Sequence, residues 1–369
     1  MSIVLFIAVL VVLIVVHELG HFLVAKLFGI RVDEFGIGYP PRAFTIGKRG
    51  DTTYTINWLP FGGFVRIFGE RHDQNYSARE IRQAFVHKSR FIQAAVLIAG
   101  VLFNFIFAWI LFSTTLMMGA PTAIDEADAA GFDTRLIVSS IVPGSPADVA
   151  GLAAGDELVS MRTGDDSLEG MTPSQAARFI QERPGENVTI EYIRDTDTRT
   201  VENVQVSPAH GVLGDSPGTP AIGMAMALVA DRSLPVWEAL SQGLAGTFRA
   251  FEVVTVGLVG FFASAVTGAA DWSQVAGPIG IAGLVGDASS VGIVYLLYFT
   301  AFISVNLAVI NLIPLPALDG GRLLFVVIEA VRRKPISEKV ATVFNFVGFT
   351  LIIALMVVVT YYDIAKLLS

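Results

Sequence analysis

The sequence predicts a polytopic α-helical membrane protein with four transmembrane helices, a membrane-associated β-hairpin and an inserted α+β domain. The first observation is the composition of the 369 residues, of which 53% are hydrophobic and 16% are charged. In ordinary soluble proteins about a quarter of residues are charged. The second is that four segments reach the roughly 20 apolar residues that a bilayer helix needs. They are residues 3–28, 91–118, 291–313 and 340–365. The third is an acidic stretch between them with strand and turn signals of its own.

The first span contains the run His17-Glu18-Leu19-Gly20-His21, which holds two of the chain's five histidines. Positions four apart lie on one face of a helix, so the two imidazoles can offer nitrogens to one metal ion, with Glu18 beside them as a base. Ionisable groups at membrane depth are costly and therefore indicate function. The alternative is a coincidental histidine pair in a soluble core helix, and the long apolar run around the motif argues against it.

The segment after the first span predicts a hairpin. Residues 43–49 and 52–58 alternate around the turn at Gly50 and Asp51. The run that follows includes Gly62, Gly63, Phe64 and Val65. Glycines flanked by aromatic and β-branched residues suggest an extended segment that another backbone can approach closely. This part of the chain is either a plain surface hairpin or a strand edge that pairs with an extended peptide.

The stretch after the second span predicts a small α+β domain. Strands are expected at residues 136–142, 157–161, 188–194 and 200–206, and helices at residues 147–151 and 173–182. Thr172 is the expected N-cap of the second helix, and residues 195–198 form the turn between the last two strands. The predicted parts of the chain are residues 1–119, the inserted domain 120–210, a linker and amphipathic region 211–290, and residues 291–369.

Lysine and arginine set the predicted orientation. Residues 26–90 hold 11 of the 25 basic residues and residues 322–339 hold 5, whereas residues 120–240 hold 7 basic and 19 acidic residues. Because positively charged loops favour the cytoplasm, we expect the two basic segments inside, and the N-terminus and the acidic domain outside. A span at 250–267 would move 322–339 outside. Residues 238–268 are therefore expected to be amphipathic or re-entrant at the outer membrane face.

A second segment supplies the missing part of a metal site. A catalytic zinc usually takes three protein ligands and leaves one position for water. The best third ligand is Asp319, which follows the third span in a segment broken by Pro314 and Pro316. Broken backbone at membrane depth is tolerated where it lines a cavity, and Asn306 and Asn311 add hydrogen-bonding side chains before the break. The alternative is that Asp319 merely caps the next helix.

The depths of the histidine motif and of Asp319 in the bilayer agree with this orientation. His17 lies about 14 residues, or about 21 Å, into a helix that begins outside. Asp319 follows a span that runs from outside to inside. Both residues therefore reach the cytoplasmic half of the bilayer.

These motifs together resemble the site-2 protease family of intramembrane zinc metalloproteases, and within it the bacterial regulator-of-sigma-E protease (RseP) branch. The resemblance is carried by residues 17–21, 62–65, 145–161, 277–280 and 311–321. Residues 145–161, SPADVAGLAAGDELVSM, are close to the pattern of circularly permuted bacterial PDZ modules. The resemblance implies that Zn²⁺ is held by His17, His21 and Asp319, with Glu18 as catalytic base. It also implies substrate-handling roles for Asn306, Asn311, Pro314 and Pro316, and an edge-strand role for Gly62, Gly63, Phe64 and Val65.

The resemblance implies cleavage, within the bilayer, of single-span membrane proteins such as anti-sigma factors, or of signal-peptide remnants. An upstream site-1 protease would first shed the outer domain of the substrate. The expected setting is the bacterial cytoplasmic membrane, with the PDZ domain extracytoplasmic and no nucleic acid partner. Unlike the best-known members, the chain has room for one PDZ domain. Two other interpretations stay open: a membrane-anchored metalloprotease of soluble proteins, and a metal transporter or receptor that uses the same ligands without hydrolysis.

Overall fold

The computed structural model describes residues 2–70, 77–129, 131–194, 201–209, 220–268, 275–316 and 318–368. The chain forms two compact units. The helical unit comprises Met1–Thr115 and Val236–Ser369, and the inserted unit is Leu116–Pro235. The inserted unit is therefore a single insertion in the chain of the helical unit.

The helices and strands follow one another along the chain in a mixed order. They are α1 (Ser2–Leu27), β1 (Val32–Arg49), β2 (Thr52–Ile67), α2 (Ala78–Ile81), α3 (Arg90–Met117), β3 (Pro121–Ala123), β4 (Thr134–Ile141), α4 (Pro146–Val149), β5 (Glu157–Thr163), β6 (Asp166–Glu169), α5 (Pro173–Gln181), β7 (Val188–Ile193), β8 (Val201–Val206), β9 (Met224–Asp231), α6 (Val236–Val266), α7 (Pro278–Val291), α8 (Ile293–Leu312), α9 (Asp319–Arg332) and α10 (Glu338–Leu368).

The four segments expected to span the membrane are all helical, as α1, α3, α8 and α10. Among the described residues a fifth helix, α6, is also long and apolar enough to cross a bilayer by length and composition. It is continuous over Val236–Val266, so residues 238–266 do not contain the break that a re-entrant segment would need. The count of four spans remains a prediction from the loop charges.

Helices α3, α6 and α8 pack together through small and aromatic side chains. Their shared core contains Ala108, Phe112, Val254, Ala301 and Val305. The indole nitrogen of Trp109 also donates to the carbonyl of Leu240, 2.8 Å away. This core holds α8 beside α3, and α8 leads directly to Asp319.

Helix α7 is anchored on α10 by a buried carboxylate. Asp363 of α10 is 6% exposed, and it accepts hydrogen bonds from the backbone nitrogens of Gly277, at 3.1 Å, and Gly280, at 2.8 Å. A Cβ on Gly277 would lie 2.6 Å from the Asp363 Oδ2 atom. The glycines of the 277–280 motif therefore allow the carboxylate to cap the first turn of α7.

The predicted hairpin is confirmed, and its strands are longer than expected. Strands β1 and β2 meet at Gly50, which has a φ of 60°. In the sheet, Ile37 of β1 pairs both with Gly63 and with Ile56 of β2. The first half of β1 therefore lies between the two halves of β2. Among the described residues, the pairing partners of 63–67 all belong to β1, which leaves this segment at the outside of the sheet.

The base of the hairpin packs on the helices that carry the metal motif. Ala25, Val32, Ile67, Val96 and Val326 share one buried cluster. The rings of Phe22 and Phe35 also meet edge to face, with centroids 5.4 Å apart. This packing holds the outer segment of β2 next to α1.

The inserted unit is built on a seven-stranded sheet. Its order is β3-β9-β4-β5-β7-β8, and β6 pairs with β5. The expected strands appear as β4, β5, β7 and β8, and the expected helices as α4 and α5. Thr172 caps α5 as predicted, since its hydroxyl accepts from the backbone nitrogen of Gln175 in a capping box. The turn predicted at 195–198 lies outside the described residues.

The inserted unit is longer than the predicted range of 120–210. Strand β9 falls in the segment assigned to the linker, yet it lies between β3 and β4, with Leu136 opposite Leu228. The sequence of β9, MAMALVAD, is rich in Met and Ala, which are not typical strand residues. Its conformation is therefore set by its two neighbouring strands, which the local pattern does not reveal.

Candidate metal centre

Helix α1 presents its two histidines from one buried face. The buried residues of α1 are Leu13, His17, Gly20, His21 and Ala25, the spacing of a single helical stripe. The two Nε2 atoms lie 3.2 Å apart, and the rings stand nearly perpendicular with centroids 4.8 Å apart. Helix geometry alone thus aims both imidazoles at one point.

Asp319 completes a three-residue cluster with these histidines. Its Oδ2 atom lies 2.9 Å from His17 Nε2 and 3.0 Å from His21 Nε2. Asp319 is the first residue of α9, whose N-cap is Leu318 without a side-chain cap. The carboxylate therefore faces the imidazoles and does not serve as the cap that the alternative interpretation required.

Two glycines allow Asp319 to reach this position. A Cβ on Gly320 would collide with the backbone carbonyls of Leu312 and Ile313, and one on Gly321 would collide with that of Leu315. The start of α9 therefore folds tightly against the end of α8, as only residues without a side chain permit.

Helix α3 forms the opposite wall through three positions spaced four apart. The Nδ1–H of His21 donates to the carbonyl of Val96 at 2.8 Å, and the side-chain amide of Asn104 lies 3.1 Å from His17 Nδ1. Between them, a Cβ on Gly100 would lie 2.5 Å from His21 Nε2. Sequence reasoning did not include this face. The available signal was Asn104 itself, a polar side chain within a membrane-length apolar helix.

The donor set fits zinc. Among the described residues, His17, His21 and Asp319 are the one group of three potential ligands whose atoms lie within 4.8 Å of one another. Their mutual distances of 2.9 to 3.2 Å approach the roughly 3.3 Å between atoms that share a tetrahedral zinc at about 2.0–2.2 Å. Two imidazole nitrogens and a carboxylate oxygen, with a fourth position open, are the pattern of catalytic zinc sites.

Glu18 lies between α1 and the outer segment of β2. Its side chain is half-buried. A Cβ on Gly63 would lie 3.5 Å from Glu18 Cγ and 3.4 Å from the side chain of Ile14. Gly63, in the run from Gly62 to Val65, thus lies beside the side chain of Glu18.

The four other predicted positions flank the break between α8 and α9. The Asn306 amide donates to the Phe302 carbonyl of its own helix at 2.9 Å, and half-buried Asn311 lies in the last turn of α8. Pro314 is exposed. Pro316 packs so closely on Gly348 of α10 that a Cβ there would collide with it.

Two ion pairs that sequence reasoning missed fix α9. Arg322, one turn after Asp319, pairs with Glu70 just beyond β2 at 3.0 Å. Glu329 pairs with Arg90 at the start of α3 at 2.7 Å. The helix that carries Asp319 is thereby tied both to the hairpin and to α3.

Comparison with known proteins finds zinc metalloproteases along nearly the whole chain. The model of Peptidase family M50 matches residues 5–355. The chain is 37% identical over 360 residues to a Clostridium perfringens (strain 13 / Type A) protein, CPE1693, whose name carries the words zinc metalloprotease, and the match covers 95% of each chain. It is 31% identical over 441 residues to the zinc metalloprotease RasP of Geobacillus kaustophilus, covering 99% of this chain and 98% of the relative. The chain is also 30% identical to the zinc metalloprotease RasP of Shouchella clausii, and this match covers 99% of each chain.

Proposed function

Because this chain belongs to peptidase family M50, the site-2 proteases, and is a zinc metalloprotease, we propose that it hydrolyses peptide bonds within the membrane, in the transmembrane segments of single-span proteins. The observation that carries the proposal is the convergence of Asp319 with His17 and His21 on α1, a helix of membrane-spanning length and composition. Substrates of the anti-sigma-factor type, or remnants of signal peptides, match this site because their scissile bonds lie in the bilayer.

We assign His17, His21 and Asp319 as the Zn²⁺ ligands and Glu18 as the catalytic base. When bound, zinc lowers the pKa of a water molecule and polarises a carbonyl group. The Glu18 carboxylate takes the proton of the attacking water and later delivers it to the leaving amine nitrogen. Its position beside the ligand pair on α1 supports both transfers.

The outer segment of β2 is proposed to hold the unwound substrate. A transmembrane helix satisfies its own backbone, so a strand drawn from it needs new partners in a medium without water. Gly62, Gly63, Phe64 and Val65 offer an edge beside Glu18, and pairing of a peptide with this edge would supply those partners. Asn306, Asn311, Pro314 and Pro316 are proposed to keep the strand in register from the other side.

The first test of these assignments compares two isosteric variants with the native protein. Glu18→Gln should retain zinc and lose cleavage of a helical membrane substrate, because the base is gone and the ligands remain. Asp319→Asn should lose zinc as well, since an amide is a weaker ligand than a carboxylate. Metal content and substrate cleavage are measured on the same purified samples. Cleavage by Glu18→Gln would exclude Glu18 as base, and full zinc content in Asp319→Asn would exclude Asp319 as ligand.

A soluble peptide of the same sequence distinguishes the competing functions. A membrane-anchored protease of soluble proteins would cut that peptide as fast as the helical substrate. A transporter would carry zinc into vesicles and cut neither. Preference for the bilayer-embedded substrate supports the proposal, and either of the other outcomes contradicts it.

We propose that the inserted unit is a single PDZ domain on the extracytoplasmic side of the bacterial cytoplasmic membrane, with the active site toward the cytoplasm. The loop charges support this orientation. Because the chain has no cysteine, single cysteines at exposed positions can be labelled without background. Asp165→Cys in the inserted unit should react from outside and Lys334→Cys only from inside. Reaction of both from the same side would contradict the four-span arrangement.

The PDZ domain is proposed to delay cleavage until a site-1 protease has removed the outer part of the substrate. Pro121 and Asp231 are cross-strand partners, so residues 122–230 can be deleted and the ends joined by a short linker. The deletion variant should cut an intact substrate that the native protein leaves uncut. Unchanged discrimination by this variant, with normal cleavage of the shortened substrate, would remove the inserted unit from substrate selection.

A further inference from the structure

Asn104 is a fully buried polar residue in the wall of the metal centre. It lies in α3 with no exposed surface, in a helix long and apolar enough to cross a membrane. Its Nδ2 atom lies 3.1 Å from His17 Nδ1. Its Oδ1 atom is buried without a hydrogen-bond partner among the residues that the structure describes. An unpaired buried amide oxygen is destabilising and calls for a physical reason.

The two histidines differ in the partner of their second ring nitrogen. His21 Nδ1 has a backbone carbonyl as its partner, that of Val96, which accepts a proton and leaves Nε2 free to bind a metal. His17 Nε2 faces the same centre, 2.9 Å from Asp319 Oδ2. For Nε2 to bind zinc, His17 must also carry its proton on Nδ1 and needs an acceptor there. The amide nitrogen of Asn104 cannot accept this proton.

The oxygen and nitrogen of an asparagine amide have the same shape, so a half-turn about its last bond exchanges them without moving other atoms. We propose that Asn104 is a positioning residue, whose Oδ1 accepts the Nδ1–H of His17 in the zinc-loaded enzyme. After this half-turn Oδ1 accepts from His17, the NH2 group takes the former position of the oxygen, and the tautomer of His17 is fixed with Nε2 directed at the metal. The inference rests on the proposed role of His17 as a ligand.

The backbone of Asn104 is held independently of its side chain. The hydroxyl of Ser304 in α8 donates to the Asn104 carbonyl at 2.8 Å, and both residues are fully buried. One turn of α3 is thus bound to His17 of α1 on one side and to α8, which leads to Asp319, on the other. Asn104 therefore sets the position of His17 relative to the third ligand.

The test compares Asn104→Leu with Asn104→Asp in the full-length protein. Leucine has a similar size and no acceptor, whereas aspartate keeps an oxygen that accepts from His17. Zinc affinity is measured by competition with a chromophoric chelator. We expect Asn104→Leu to bind zinc about 10–100-fold more weakly, and Asn104→Asp to recover native affinity to within about threefold. The control is Ser113→Ala, which removes a different buried polar group of α3, a hydroxyl that donates to the Trp109 carbonyl, and should leave zinc affinity unchanged.

Rescue by aspartate separates positioning from packing. Native affinity in Asn104→Leu, or equal losses in the leucine and aspartate variants, would overturn the inference. His17→Ala is measured in parallel. If it binds zinc normally, the proposed ligand set fails. If it loses zinc while Asn104→Leu does not, only the positioning role fails. Thermal unfolding of the zinc-free proteins shows whether leucine is accommodated at this position. If it is not, the zinc affinity of Asn104→Ala is measured instead, and the same outcomes support or overturn the inference.

Discussion

The substitution Gly100→Ala isolates the space that the metal centre requires. A Cβ at this position would lie 2.5 Å from His21 Nε2, 2.6 Å from His17 Cε1 and 2.8 Å from His17 Nε2. The shortest of these is roughly 0.9 Å below 3.4 Å, the lower limit of ordinary van der Waals contact. Metal–ligand distances hold within about 0.2 Å, so an imidazole displaced by this amount no longer coordinates the same centre. We expect zinc affinity to fall at least about 100-fold, or about 2.8 kcal/mol.

The same change should not unfold the helix. Alanine favours a helix over glycine by about 1 kcal/mol, so the loss would arise at the metal centre and not in α3 as a whole. Zinc content after purification and affinity by chelator competition are the assays. The matched control is Gly257→Ala in α6, where a Cβ would meet no atom within 4 Å. Native zinc binding by Gly100→Ala would refute the proposed geometry of the centre.

Two further predictions concern other parts of the molecule. Asp363→Asn should lower the free energy of unfolding by about 1–3 kcal/mol, because Gly277 and Gly280 donate to different oxygens of the carboxylate and the amide nitrogen that replaces one of these oxygens cannot accept a hydrogen bond; a native denaturation midpoint would contradict it. In the inserted unit, the backbone N–H of Ser174 donates to Glu126 at 2.6 Å and holds the pKa of that carboxyl below its ordinary value of 4.5. The bond is therefore present at neutral pH, and its contribution is lost as the pH falls below 4.5 through the lowered pKa. Hydrogen exchange at the Ser174 amide, corrected for intrinsic rate, should show this loss in the native protein and not in Glu126→Gln, and protection unchanged down to pH 3 would exclude it.

The elements that local sequence patterns encode were predictable. A membrane-length apolar run defines a helix such as α1 without knowledge of its neighbours, and alternation around Gly50 defines the hairpin. The meeting of Asp319 with the two histidines was also predictable, although the three are far apart in sequence. The reason is chemical, because two imidazoles at helical spacing leave a zinc short of one ligand.

The contribution of α3 could not be read in the same way. Val96 acts through its backbone carbonyl, which every residue possesses, so its side chain gives no signal. Gly100 acts by the absence of a side chain, and glycine is frequent in membrane helices for other reasons. Strand β9 was missed because its Met and Ala residues favour a helix locally, and the sheet on both sides overrides that preference. These features depend on which surfaces meet after folding.

The distance along the chain between the halves of the metal centre has a consequence for biosynthesis. His17 and Asp319 are 302 positions apart. At a translation rate of about 5–20 residues per second, the ribosome needs roughly 15–60 s to pass from one to the other. During this interval the opening helix is already in the nascent polypeptide while the third donor does not yet exist. An interrupted product that stops before α9 would therefore carry the histidine pair without Asp319, and we expect it to be inactive as a peptidase.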